Sequence, residues 1–147
     1  MGAESVTVCF TGNPNCGKTT LFNAYTGAGK KTANWPGVTV ALSEGSLMHR
    51  GRLVHLVDTP GIYSLDPYTM EETVTRQCIR DQKADVIIHV ADALLLERSL
   101  FLTMQLLAEG RPMVLALNMM DLVRERGMDI DTEGLSRLLG GIPVIPV

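Results

Sequence analysis

Apolar and polar residues alternate from Ser5 to Thr11, where Val6, Val8 and Phe10 are set against Thr7, Cys9 and Thr11, which predicts a first β-strand. A glycine-containing loop interrupts the pattern, and a helix over Thr20 to Tyr25 carries Leu21, Phe22 and Tyr25 on one side before Gly27 and Gly29 close it. Lys30 to Gly37 has two breakers and little periodicity and reads as a loop. Val38 to Met48 and Leu53 to Val57 read as strands of an antiparallel hairpin about the turn His49-Arg50-Gly51-Arg52. Ile62 to Thr69 reads as a second loop and Met70 to Asp81 as a modest helix. The short apolar runs Val86 to Val90 and Met113 to Leu117 suit strands buried on both faces. Between them, Leu100, Phe101, Met104, Leu107 and Ala108 recur at helical spacing within Glu97 to Glu109 and predict the buried face of an amphipathic helix, stopped by Gly110. Asp131 can cap a helix bearing Leu135, Leu138 and Leu139 that ends at Gly140-Gly141, and Pro143 to Val147 opens a last strand.

Strands alternating with helices predict an α/β fold with a mostly parallel sheet, one antiparallel hairpin and helices on both faces. Ligands in such sheets bind beyond the carboxyl ends of the strands. Three candidate motifs sit there, after the first, third and fifth predicted strands. Gly12-Asn13-Pro14-Asn15-Cys16-Gly17-Lys18-Thr19 fits G-x-x-x-x-G-K-[ST] between a strand and a helix, the context of a phosphate-binding loop. Glycines let the backbone wrap phosphate oxygens without a Cβ in the way. Loop N–H groups and the positive end of the helix, at Thr20, then face the anion. Lys18 is expected at the β- and γ-phosphates and the Thr19 hydroxyl on Mg²⁺. Asp58-Thr59-Pro60-Gly61, about 40 residues further on, has the form D-x-x-G, with a carboxylate for Mg²⁺ and the Gly61 N–H for a γ-phosphate. Thr39, between the two motifs, reads either as a strand threonine or as a hydroxyl that completes the Mg²⁺ shell, and the flanking motifs favour the second. Asn118-Met119-Met120-Asp121 has the form N-x-x-D: the carboxylate can accept from guanine N1–H and its exocyclic amine, a donor pair adenine lacks, while the asparagine braces the loops.

The chain has 147 residues, enough for one domain with a sizeable core, and its 46% hydrophobic and 20% charged residues are ordinary for a globular protein. A net charge of −3 implies no sequence-blind grip on nucleic acid. Cys9, Cys16 and Cys78 lack metal-site spacing and read as reduced thiols; His49, His55 and His89 are scattered, and no structural metal site is expected. Glu4 and Thr7 interrupt any secretory leader, and no apolar run approaches the roughly 20 residues that cross a bilayer. Trp35 could be a packing residue, but with Pro-Gly following and no apolar period around it, it reads as a partly exposed aromatic of a switch loop.

In this order the motifs resemble the TRAFAC-type, Ras-like small GTPases. The run Asn34-Trp35-Pro36-Gly37-Val38-Thr39-Val40 is similar to the first switch of FeoB, the bacterial ferrous-iron transporter family, and Asp58-Thr59-Pro60-Gly61-Ile62-Tyr63-Ser64-Leu65 and Leu96-Glu97-Arg98-Ser99-Leu100 also match it. The resemblance implies a G domain on the cytoplasmic face of the bacterial inner membrane that binds GTP and GDP with Mg²⁺ and hydrolyses GTP slowly. It also implies a helical GDP-release-inhibiting domain and a transmembrane iron-permease domain as partners, with nucleotide state regulating Fe²⁺ uptake. Ile62 stands where Ras-like enzymes carry the glutamine that orients water. The resemblance to potassium-activated GTPases implies that Asn15, with switch carbonyls near Ala33 and Trp35, holds a K⁺ beside the phosphates and that K⁺ stimulates hydrolysis. Ala33 and Met119 depart from the glycine and lysine common at those positions. A guanine-contacting loop and a final helix are expected after Val147, so the chain reads as a piece of a longer membrane protein whose uncovered sheet face favours self-association. The alternatives are a free-standing GTPase of ribosome or tRNA maturation and a nucleotide sensor with negligible turnover; Asp121 disfavours an ATPase.

Overall fold

A computed structural model describes residues 5–81 and 84–147; Glu4, cited above, lies outside the described residues. Seven strands form one sheet: β1 (Ser5–Gly12), β2 (Lys31–Asn34), β3 (Ala41–His49), β4 (Arg52–Asp58), β5 (Val86–Asp92), β6 (Met113–Asn118) and β7 (Val144–Pro146). Their order is β2-β3-β4-β1-β5-β6-β7. The pairings from β4 through β1, β5 and β6 to β7 are parallel, and β2/β3 and β3/β4 are antiparallel. Five α-helices connect them: α1 (Lys18–Thr26), α2 (Met70–Arg80), α3 (Leu96–Leu107), α4 (Met120–Glu125) and α5 (Thr132–Leu138). The expected α/β, mostly parallel, Ras-like architecture is therefore the one observed.

Because side chains alternate across a strand, neighbours in β1 serve opposite faces. Phe10 joins Val8, Leu56, Val90 and Phe22 of α1 in one buried cluster, with Phe10 and Phe22 edge to face at 5.6 Å. Cys9 points the other way and packs with Val57 and with Val74 and Cys78 of α2. Ile87 meets Leu102 and Leu106 of α3 on that second side. Thr69 opens α2 with a reciprocal cap: its hydroxyl accepts from the Glu72 N–H while the Glu72 carboxylate accepts from the Thr69 N–H. Asp131 caps α5 as expected, accepting from the Gly134 N–H at 2.9 Å.

Five expectations change. Lys30 to Gly37 is not all loop: residues 31–34 form the edge strand β2, all four side chains exposed, so backbone pairing to β3 holds it and no apolar period is needed. The following strand starts at Ala41 rather than Val38, because the chain reverses at 35–40, where the Trp35 N–H donates to Val40 O at 2.8 Å. The buried face of α3 is Ser99, Leu102, Thr103 and Leu106, while Phe101 and Met104 are exposed. Ser99 and Thr103 can face inward because their hydroxyls donate to their own helix or its lead-in turn, at Leu95 O (3.1 Å) and Ser99 O (3.0 Å). Of the leucines expected on the last helix, Leu138 is exposed and Leu139 buried, and α4 is an element the sequence pattern does not predict.

Candidate functional site

The parallel strands end on one edge. Register pairs Phe10 with Asp58, Gly12 with Val90 and Asp92 with Asn118, so the tips of β1, β4, β5 and β6 lie side by side. The phosphate loop leaves β1 near the centre of the sheet. Gly12 has no room for a side chain, since a Cβ there would sit 2.6 Å from Val90 O. Gly17, at φ 89°, takes the left-handed turn that launches α1. The loop encloses a cavity of about 350 Å³ lined by Asn13, Pro14, Asn15, Cys16, Gly17, Lys18, Thr19, Thr20 and Gly61. Cys16 lines it with backbone: the thiol is buried in the core, and burial pushes its pKa up.

Three motifs meet here through hydrogen bonds. Lys18, almost fully buried, pairs with Asp58 Oδ1 and donates to Thr59 O at 2.6 Å. The other Asp58 oxygen accepts from the Thr19 hydroxyl at 3.2 Å. An ion pair out of water is stable only when its remaining donors and acceptors are met, and this one is met from both sides. Thr59 clamps the D-x-x-G turn onto β1, its hydroxyl and its N–H both donating to Phe10 O (2.6 and 3.1 Å). The Ile62 N–H donates to Gly12 O at 3.0 Å, and Gly61 lies so close to Pro14 that a Cβ would fall 2.9 Å from its Cα. Asn118 braces the loop from the third side: its Nδ2 donates to Cys16 O at 3.0 Å.

Ile62 is turned into the core beside Leu65 and Ile79, away from the cavity. Asn15 is exposed at the rim in a left-handed conformation, φ 64°. Thr39, Ala33 and Trp35 do not line the cavity: the β2–β3 reversal holds that segment on the sheet edge, Thr39 is exposed, and Trp35 donates from its indole to Gln77 Oε1 at 3.0 Å. Trp35 is thus half-buried against the core between β3 and α2. Met119 (φ 68°) leads into α4, and Asp121 is exposed on its first turn, also outside the cavity.

The sequence reading passed over a second cavity, of about 160 Å³, that shares Asn13, Pro14, Asn15 and Cys16 with the first and adds Tyr63, Asp92, Leu95, Arg98 and Ser99. Asp92 ends β5, one strand from β1, and the strand-tip rule applied to that apolar run would have found it. Beneath lies His89, fully buried, its Nδ1 3.4 Å from the Thr11 hydroxyl; burial pulls its pKa down to about 4. His89 Nε2 and Asn13 Oδ1 are buried without a hydrogen-bond partner. Cys9 and Cys78 pack in the same buried cluster, and the neighbouring thiol together with burial raises the Cys9 pKa. Among the described residues no three His, Cys, Asp or Glu side chains gather as a metal cluster, and no helix is long and apolar enough to cross a membrane.

Comparison with known proteins agrees with this fold. The family model for ferrous iron transport protein B matches residues 6–147. The Fe(2+) transporter FeoB of Legionella pneumophila is 49% identical over 140 residues, which is 92% of this chain and 18% of that protein. The structure of the cytosolic domain of L. pneumophila FeoB is 48% identical with a TM-score of 0.89, over 97% of this chain and 60% of that one. A point mutant of S. thermophilus NFeoB bound to GDP is 43% identical with a TM-score of 0.90, over 97% of this chain and 55% of that one.

Proposed function

Since the chain belongs to the ferrous iron transport protein B family, as an N-terminal G domain, we propose that it binds GTP with Mg²⁺, hydrolyses it slowly to GDP and phosphate, and so regulates ferrous-iron uptake by a longer membrane protein. The observation that carries the reading is the meeting of Lys18, Thr19 and Asp58 with the Asn118 brace around one loop. The chain spans 18% of the transporter it resembles and matches that transporter's cytosolic domain, which supports a single G domain of a longer protein, placed at the cytoplasmic face of the bacterial inner membrane. A helical GDP-release-inhibiting domain and a transmembrane iron-permease domain are its partners there.

Loop amides of residues 13–19 and the N-terminus of α1 bind the phosphates. Lys18 exchanges its contacts to Asp58 and Thr59 for phosphate oxygens. The Thr19 hydroxyl and the Asp58 carboxylate already lie together, and two hard oxygen donors suit Mg²⁺. Thr39 joins them once its turn leaves the sheet edge, and Gly61 offers its N–H to the γ-phosphate. Asn15, exposed at the rim, would hold K⁺, joined by the carbonyls near Ala33 and Trp35 once that segment leaves the sheet edge. When bound, the two cations would supply positive charge to the phosphate oxygens. Ile62 is buried, so the attacking water is oriented by backbone groups. Asp121 reads guanine, and Asn118 holds the base-side loop to the phosphate loop.

Multiple-turnover phosphate release from GTP tests this. Turnover faster in K⁺ than in Na⁺ at equal ionic strength, and lost in Lys18→Ala, is expected. Equal rates in the two salts would remove Asn15 from its role. Nucleotide exchange without phosphate release would favour a sensor, the reading that the burial of Ile62 keeps open.

A further inference from the structure

Resting on the hydrolytic reading above, we propose that Arg98 is a positioning residue for that reaction, acting through Tyr63 to hold the Gly61 segment against the phosphate loop. With Ile62 in the core, no side chain at that position can place the water, and the backbone about Gly61 must do so. That backbone is fastened upstream: Thr59 is bound to Phe10 O, and the Ile62 N–H to Gly12 O. Immediately downstream Tyr63 swings outward, half exposed, and its ring is met by the Arg98 guanidinium 4.4 Å from the ring centre. Residues 63–69 have no helix or strand of their own, so this stack ties the loop's leading edge to a rigid element.

The placement of Arg98 is itself informative. It is the third residue of α3, at the positive end of the helix, where a cation is unfavourable. Helix stability therefore does not select an arginine there, whereas a π face does. Arg98 and Tyr63 also form one wall of the second cavity, whose other wall is the phosphate loop from Asn13 to Cys16. The stack thus sets the distance between the Gly61 turn and the loop that holds the transferred phosphate. A shift of that turn would change the rate of reaction more than ground-state binding.

A double-mutant cycle on the chain tests this, reading kcat and KM for GTP together with GDP affinity and melting temperature. Arg98→Ala and Tyr63→Ala are each expected to lower kcat about threefold to fivefold, the scale of one exposed cation–π contact, with KM and GDP affinity unchanged. The double variant falls no further than either single one. Tyr63→Phe keeps the ring and restores the rate, while Arg98→Lys, a poorer stacking partner, restores it in part. Unchanged kcat in Arg98→Ala, additive losses in the double variant, or a loss in Tyr63→Phe equal to that of Tyr63→Ala would each overturn the proposal while leaving the hydrolytic reading in place. A wild-type chain that binds GTP and never turns it over would remove both.

Discussion

Asn118 uses both ends of its amide: Nδ2 donates to Cys16 O, and Oδ1 accepts from the Met119 N–H at 3.0 Å. Asn118→Ala leaves both backbone partners unmet and is expected to cost about 1–3 kcal/mol in urea melts. Faster GDP release should accompany it, and a variant with wild-type stability and release would show the brace to be idle. His89 makes a second prediction. Its folded pKa of about 4 lies below the ordinary 6.5 because burial disfavours the cation. Between those values the unfolded chain binds a proton that the folded chain refuses, so stability is full above about pH 6.5 and falls as pH drops toward 4. At 1.36 kcal/mol per pKa unit the loss is about 3 kcal/mol. Melts at pH 7 and pH 4.5 should show it, and His89→Leu should flatten that part of the slope. Lys18, Asp58 and Asn118 were legible because their motifs state a chemistry and a spacing. The burial of Ile62 and the stack on Tyr63 were not, because a side chain's direction after a tight turn depends on what packs beside it.

Among the elements, α3 shows how helical spacing can mislead. Its strongest apolar recurrence, through Leu100, Phe101 and Met104, faces partly or wholly outward, because two hydroxyls satisfied by carbonyls one turn back fit the core as well as small apolar groups do. Leu102→Ala is therefore expected to cost about 2–5 kcal/mol, against about 0.5 or less for Met104→Ala, by denaturant melts. The strand β2 was hidden for the opposite reason: an edge strand with exposed side chains leaves no period in the sequence. Its consequence is functional. On the proposed reading Thr39 reaches Mg²⁺ only by opening the Trp35–Val40 reversal, where the Trp35 indole is bonded to Gln77. Trp35 is the single tryptophan of the chain. Its emission is expected to shift to the red with a non-hydrolysable GTP mimic and Mg²⁺ but not with GDP. Identical spectra in the two states would mean that this edge stays paired throughout.

At the scale of the whole molecule, the alternation of strands and helices made the parallel sheet and the shared edge of its motifs readable. The order of strands was not readable, since nothing local states that β1 lies between β4 and β5. That order matters: β1 has β4 on one side and β5 on the other, and the chain fills the β4 side before crossing to the β5 side, so the phosphate loop sits where the strand order diverges, the place where open α/β sheets hold their ligands. It also brings Asp92 and Arg98 beside Asn15, a neighbourhood no spacing in the sequence announces. Asp121 stands beyond β6 on the same edge, on the first turn of α4, the position proposed to read the base. The most direct test is calorimetric titration of the chain with GDP and with ADP in Mg²⁺. One-site heat with GDP, none with ADP, and loss of the GDP signal in Lys18→Ala are expected; equal binding of the two nucleotides, or GDP binding indifferent to Lys18, would overturn the guanine-nucleotide reading.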